Sequence, residues 1–111
     1  MPHQISISRR PCIATVSLFG GFAARLDAIA AAGFSAIELC AGDVATIRDA
    51  QRAGDRARQL GLSIALFQPF RDVEGVDNAC FAANCERAKL SLDLASAAGA
   101  PLVLVCSNTA N

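Results

Sequence analysis

Three times along the chain a helical pattern ends at a glycine and a short apolar run follows at once. The joints read Ala31-Ala32-Gly33-Phe34-Ser35-Ala36-Ile37-Glu38-Leu39, Gln59-Leu60-Gly61-Leu62-Ser63-Ile64-Ala65-Leu66 and Ala97-Ala98-Gly99-Ala100-Pro101-Leu102-Val103-Leu104-Val105. A glycine in this position closes the last helical turn at positive φ without a Cβ penalty. Runs that are apolar on both faces are the pattern of parallel strands buried under helices. The pattern predicts β1 over 12–17, α1 over 22–32, β2 over 36–40 and α2 over 44–60. It continues with β3 over 62–67, a loop through Gly75, α3 over 78–98 and β4 over 102–106. In α1, Phe22, Leu26, Ile29 and Ala30 share one face at helical spacing. In α3, Phe81, Cys85, Ala88, Leu92 and Ala95 do the same, which leaves Glu86, Arg87, Lys89 and Asp93 to water. The run Arg48, Asp49, Arg52, Asp55, Arg56, Arg58 reads as the wet face of α2, laced by i,i+3 and i,i+4 pairs.

The order βαβαβαβ means an α/β protein with right-handed crossovers and one parallel sheet in the order 1-2-3-4. A doubly wound nucleotide-binding sheet calls for G-x-G-x-x-G between β1 and α1. The joint here, Phe19-Gly20-Gly21-Phe22-Ala23-Ala24, lacks that spacing, and no Walker lysine follows. A (β/α)₈ barrel has about 250 residues and carries its chemistry at the C-terminal ends of its strands. Four strands make half of one. The chain is therefore expected to be the first half of a (β/α)₈ TIM barrel, with a tail over 1–10 and the partial barrel over 11–111.

Composition narrows the classes. With 53% apolar residues, 18% charged and ten acids against ten bases, the chain is neither a disordered segment nor a nucleic-acid binder. No apolar run has the length of a membrane span. Ser8-Arg9-Arg10 before an apolar stretch imitates a twin-arginine export signal, but Gly20-Gly21 breaks that stretch and the strand–helix–glycine unit recurs downstream. The five cysteines, Cys12, Cys40, Cys80, Cys85 and Cys106, form no C-x-x-C. An odd count without an export signal is the usage of a reducing cytosol. His3 lies in the tail and joins no metal cluster.

The polar residues at the strand ends are Ser17, Glu38, Gln68, Arg71, Ser107 and Asn108. Glu38 interrupts an apolar strand, where a carboxylate is costly unless it is paired or metal-bound. In Phe67-Gln68-Pro69-Phe70-Arg71-Asp72, Pro69 stiffens the exit from β3 and keeps Arg71 near the strand end. A guanidinium there can clasp a carboxylate through two parallel hydrogen bonds, or form a surface pair with Asp72 or Glu74. Ser107 and Asn108 either donate to substrate hydroxyls or start a turn.

The strings Ile13-Ala14-Thr15-Val16-Ser17-Leu18, Ala30-Ala31-Ala32-Gly33-Phe34, Leu66-Phe67-Gln68-Pro69-Phe70-Arg71-Asp72-Val73-Glu74-Gly75 and Gly99-Ala100-Pro101-Leu102-Val103-Leu104-Val105-Cys106-Ser107-Asn108 resemble the N-terminal region of bacterial 3-dehydroshikimate dehydratases. These are xylose-isomerase-like barrels of the sugar phosphate isomerase/epimerase type, often joined to a dioxygenase-like domain. The resemblance implies a lyase of aromatic catabolism that converts 3-dehydroshikimate to protocatechuate with one divalent metal, Mg, Mn or Co. It implies Arg71 on the substrate carboxylate and Glu38 on the rim near the metal without ligating it; with Gln68, Ser107 and Asn108 at the strand ends these make the candidate substrate-binding set. It assigns no catalytic residue and no metal ligand to this chain, because the family's ligands lie on later strands. The expectation is an N-terminal fragment, inactive and metal-free by itself, cytoplasmic, and self-associating through exposed sheet edges. Its partner is a small carboxylated cyclohexene rather than nucleic acid or membrane. Two alternatives stand beside it: a sugar or sugar-phosphate isomerase or epimerase of the same superfamily, and a non-enzymatic half-barrel or degraded reading frame.

Overall fold

Four parallel strands lie side by side in chain order in a computed structural model that describes residues 11–71 and 77–106. They are β1 (Cys12–Ala14), β2 (Ala36–Cys40), β3 (Ser63–Phe70) and β4 (Val103–Val105), separated by α1 (Phe22–Ala31), α2 (Ile47–Gln59) and α3 (Asn78–Ala98). The expected βαβαβαβ order and the 1-2-3-4 sheet are both present. The expected tail, the Gly75 loop, Ser107 and Asn108 lie outside the described residues.

The three glycine joints close in the same way. Gly33, Gly61 and Gly99 have φ of 92°, 75° and 83°. The next residue in each case donates its N–H back five positions: Phe34 to the Ile29 carbonyl at 3.3 Å, Leu62 to Ala57 at 2.8 Å, and Ala100 to Ala95 at 2.9 Å. Such a closure satisfies carbonyls that the helix end leaves without a partner and turns the chain straight into a strand.

Boundaries differ from expectation where side chains compete for the backbone. Strand β1 stops at Ala14, because Thr15–Ser17 form a 3₁₀ turn in which the buried Thr15 turns from the ladder. Helix α2 starts at Ile47 instead of residue 44, because Thr46 caps it by accepting the Asp49 N–H at 3.0 Å, and Asp49 accepts the Ala45 N–H at 3.3 Å. The pattern is close to a capping box, except that Asp49 accepts from Ala45, one residue before the cap, rather than from Thr46 itself. Val44 is left to fill the core. Strand β3 runs on to Phe70 through Pro69, where the register with β4 shifts and a missing N–H is tolerated.

The strand faces divide cleanly. Ile37 pairs with Ile64 and Leu39 with Phe67, and these side chains join Leu26 and Ile29 of α1, Ala50, Ala53 and Ala57 of α2, and Leu94, Ala95 and Ala98 of α3 in one core. Burying a side chain the size of Phe67 contributes about 1.5–3 kcal/mol. The opposite face carries Ala14, Glu38 and Leu66 in register, then Cys40 beside Gln68.

Helix α3 corrects the expected face. Phe81 and Leu92 are 61% and 56% exposed, while Asn84, Leu94, Ala95 and Ala98 are buried. The helix is rolled so that small residues meet α2, which permits close approach at its C-terminal end. The wet face of α2 also differs in part: Asp55 and Arg58 pair within the helix, but Arg56 reaches Asp27 of α1. Leu102, Leu104 and Val105 at the β4 edge are exposed. No helix among the described residues is long and apolar enough to cross a membrane.

Gly54 marks the closest helix contact, since a Cβ there would overlap the Ala98 carbonyl oxygen and lie 3.0 Å from its carbon. Glycine to alanine in a helix interior normally stabilises by about 0.5–1 kcal/mol. Overpacking costs about 1–3 kcal/mol and should win here. Gly54→Ala is therefore expected to lower the urea midpoint; an unchanged or raised midpoint would show that α2 and α3 separate freely.

Candidate functional site

The site builds outward from Glu38. It is the third residue of β2, held between Ala14 and Leu66 on the sheet face away from the helices, and half-buried. Gln68 of β3 donates from Nε2 to Glu38 Oε2 at 2.8 Å. The pairing puts an amide dipole against a carboxylate that interrupts an apolar strand, which offsets part of its desolvation. A neutral partner leaves the carboxylate's charge in place. That charge reaches Cys12, an exposed thiol at the start of β1, whose pKa is raised by partial desolvation first and by Glu38 second.

Arg71 follows β3 directly and is exposed. Its guanidinium makes no hydrogen bond or ion pair among the described residues; Asp72 and Glu74 lie outside them. The backbone at this exit is held twice. Phe70 accepts the Cys106 N–H at 2.8 Å, and Arg71 accepts from Arg87 Nη2 at 3.1 Å. Thus Glu38 and Gln68 come together, Arg71 stands three residues beyond Gln68, and Ser107 and Asn108 lie outside the described residues.

A second polar cluster was not expected. Arg25 is buried and ion-pairs with Asp43, Nη2 to Oδ1 at 2.6 Å. Nη1 donates to the Thr15 carbonyl at 2.7 Å, and Nε donates to the Gly20 carbonyl at 3.0 Å. Thr15 Oγ1 donates to Asp43 Oδ2 at 2.8 Å and accepts the Cys40 N–H at 3.1 Å. The Asp43 hydrogen bond holds the Arg25 pKa above its ordinary value, against the opposing effect of burial. The ring of Phe22 lies 5.4 Å from the guanidinium carbon. One signal in the sequence pointed here: Arg25 falls between Phe22 and Leu26 on the apolar face of α1. Asp43 is fully engaged by Arg25 and Thr15.

No group of three or more His, Cys, Asp or Glu side chains among the described residues could hold a metal ion. Asp43 is held by Arg25 and Thr15, and Glu38 by Gln68. A cleft of about 260 Å³ between the starts of α1 and α2, lined by Phe22, Asp43, Asp49, Arg52 and Arg56, lies on the helical side and includes neither Glu38 nor Arg71.

A parallel sheet covered by helices on one face, with polar groups gathered on the other towards the strand ends, is the architecture of a β/α-barrel segment. The chain matches the solved structure of a xylose isomerase-like TIM barrel/4-hydroxyphenylpyruvate dioxygenase fusion protein with a TM-score of 0.81 and 40% identity, covering 91% of this chain and 16% of that one. In sequence it resembles 3-dehydroshikimate dehydratase over most of its own length. It is 47% identical over 102 residues to that of Pseudomonas aeruginosa and 44% identical over 97 residues to that of Pseudomonas putida. These alignments cover 88% and 86% of this chain, which spans only 16% and 15% of those relatives. No protein-family model matches the chain.

Removing Arg25 would leave Asp43 unpaired in a largely buried setting. Arg25→Ala is expected to cost about 2–3 kcal/mol, below the full loss for a deeply buried pair because the cluster lies at the sheet rim. Chemical denaturation of Arg25→Ala, Arg25→Lys and the wild type measures this. Lysine should recover little, since it cannot serve two carbonyls and a carboxylate together. A loss under 0.5 kcal/mol, on the scale of about 0–1 kcal/mol for surface pairs, would contradict the cluster's role.

Proposed function

We propose that this chain supplies the substrate-carboxylate side of a 3-dehydroshikimate dehydratase barrel, with Arg71 as the clasp and the Glu38–Gln68 pair beside it. The observation that carries the proposal is an exposed guanidinium at the exit of β3, on a strand whose Gln68 already binds the Glu38 carboxylate. The curated relatives of that name, at 44–47% identity, support it.

The reaction removes a proton beside the ketone and loses water as the ring becomes aromatic, with the substrate carboxylate retained throughout. A carboxylate that does not react is a suitable handle for binding energy. Arg71 can engage it through two parallel charge-assisted hydrogen bonds. Glu38 keeps negative charge close to the bound ring, and Gln68 fixes which carboxylate oxygen is free. A divalent metal, proposed from the resemblance and held by residues elsewhere in the barrel, would supply Lewis-acid stabilisation of the enolate. The five unpaired thiols support a reducing, cytoplasmic setting.

In a reconstructed full-length barrel containing this chain, Arg71→Ala is expected to raise KM and lower kcat/KM for 3-dehydroshikimate by roughly 10²-fold, equivalent to about 2–3 kcal/mol. Unchanged kinetics would remove the clasp role. Turnover of a neutral sugar without turnover of the carboxylate would favour the isomerase alternative.

The 111-residue chain alone is expected to give no protocatechuate above buffer with Mg²⁺, Mn²⁺ or Co²⁺. It is also expected to self-associate, because the β4 edge exposes Leu102, Leu104 and Val105 beside unpaired backbone groups. Turnover by the chain, or a well-folded monomer in sedimentation at micromolar concentration, would contradict these two expectations respectively.

A further inference from the structure

Helix α3 carries a polar residue where its packing face calls for a small apolar one. Asn84 is buried, on the stripe that continues through Ala88, Ala95 and Ala98. Its Oδ1 accepts from Arg87 Nη1 at 2.9 Å, one turn along the helix. The other terminal nitrogen of the same guanidinium, Nη2, donates to the Arg71 carbonyl at 3.1 Å, sixteen residues earlier in the chain. The two bonds use the planar fork of arginine as a rigid spacer between a buried side chain and a strand exit.

The fixed point is the backbone of the residue assigned to the substrate carboxylate. Phe70 is tied to β4 through Cys106, and Arg71 is tied to α3 through Arg87, so consecutive carbonyls are anchored to different elements. A bidentate clasp tolerates little displacement, and a misplacement of about 1 Å can cost on the order of 10²-fold in rate.

We infer that Arg87, braced by Asn84, is a positioning residue that sets where Arg71 presents its guanidinium. This rests on the carboxylate-clasp reading of Arg71. Arg87 touches no substrate in this scheme; it acts through the Arg71 main chain, so its loss should weaken binding more than chemistry.

The test is a double-mutant cycle on KM and kcat for 3-dehydroshikimate, in a reconstructed full-length barrel containing this chain, with Arg71→Ala, Arg87→Ala, both together, and Arg87→Lys. Arg87→Ala is expected to raise KM about tenfold, the scale of one charge-assisted hydrogen bond, with kcat changed less than about twofold. Arg87→Lys should rescue little, because an ammonium cannot reach both acceptors as a planar fork does. With Arg71 already alanine, Arg87→Ala should add less than about twofold, since nothing remains to be positioned. Losses that multiply in the double variant, full rescue by lysine, or an unchanged KM for Arg87→Ala where Arg71→Ala raises it, would each overturn the inference while leaving the clasp intact. An unchanged KM for Arg71→Ala would defeat the clasp and the inference with it. If Arg87→Ala does not fold, Arg87→Gln replaces it in the cycle. Amide hydrogen exchange of the Gln68–Arg71 stretch should then be faster than wild type, and unchanged exchange would count against the role.

Discussion

The Arg25 guanidinium is the contact on which the rim of the sheet depends. It is the point where the end of β1, the turn before α1 and the turn after β2 are joined, through the Thr15 and Gly20 carbonyls and the Asp43 carboxylate. Thr15 closes the arrangement by accepting the Cys40 N–H at the end of β2. Every donor of this cluster has an acceptor in place, as a charged group removed from water requires. Because Cys40 lies two residues after Glu38, the same cluster settles where the candidate site begins.

The two faces of the sheet carry separate tasks. On the helical face, large side chains such as Leu26, Ile37, Leu39 and Phe67 fill the space between layers, and alanines with Gly54 let α2 and α3 approach closely. That side holds the fold. The other face is thinly apolar, with Ala14, Leu66 and Cys40 around Glu38 and Gln68. Its polar groups can serve a ligand because the packing of the core does not need them. Among the described residues, Gln68 is the side chain that answers the cost of an acid inside a strand.

Neighbouring elements refine the picture at β3. Its exit is held by β4 on one side and α3 on the other, so the segment after Phe70 starts from a defined place. Similarity to 3-dehydroshikimate dehydratases extends over most of this chain but covers only about a sixth of them, 16% and 15%.

The sequence alone determined the order of elements, the parallel sheet and the limits of β2 and α3. Each follows from local geometry: a glycine that admits positive φ at Gly33, Gly61 and Gly99, and apolar spacing that matches one backbone period. It also singled out Glu38, Gln68 and Arg71, because polar residues in or just after an apolar strand stand out against their surroundings. Tertiary structure decided their partners. Glu38 meets Gln68 thirty residues away, Arg25 meets Asp43 eighteen away, and Arg87 meets the Arg71 carbonyl sixteen away. The roll of α3, which exposes Phe81 and buries Asn84, was decided there too. The physical reason is range. Periodicity and capping act within a turn or a strand, whereas a hydrogen bond between distant side chains exists only once packing has set the separation of the elements that carry them.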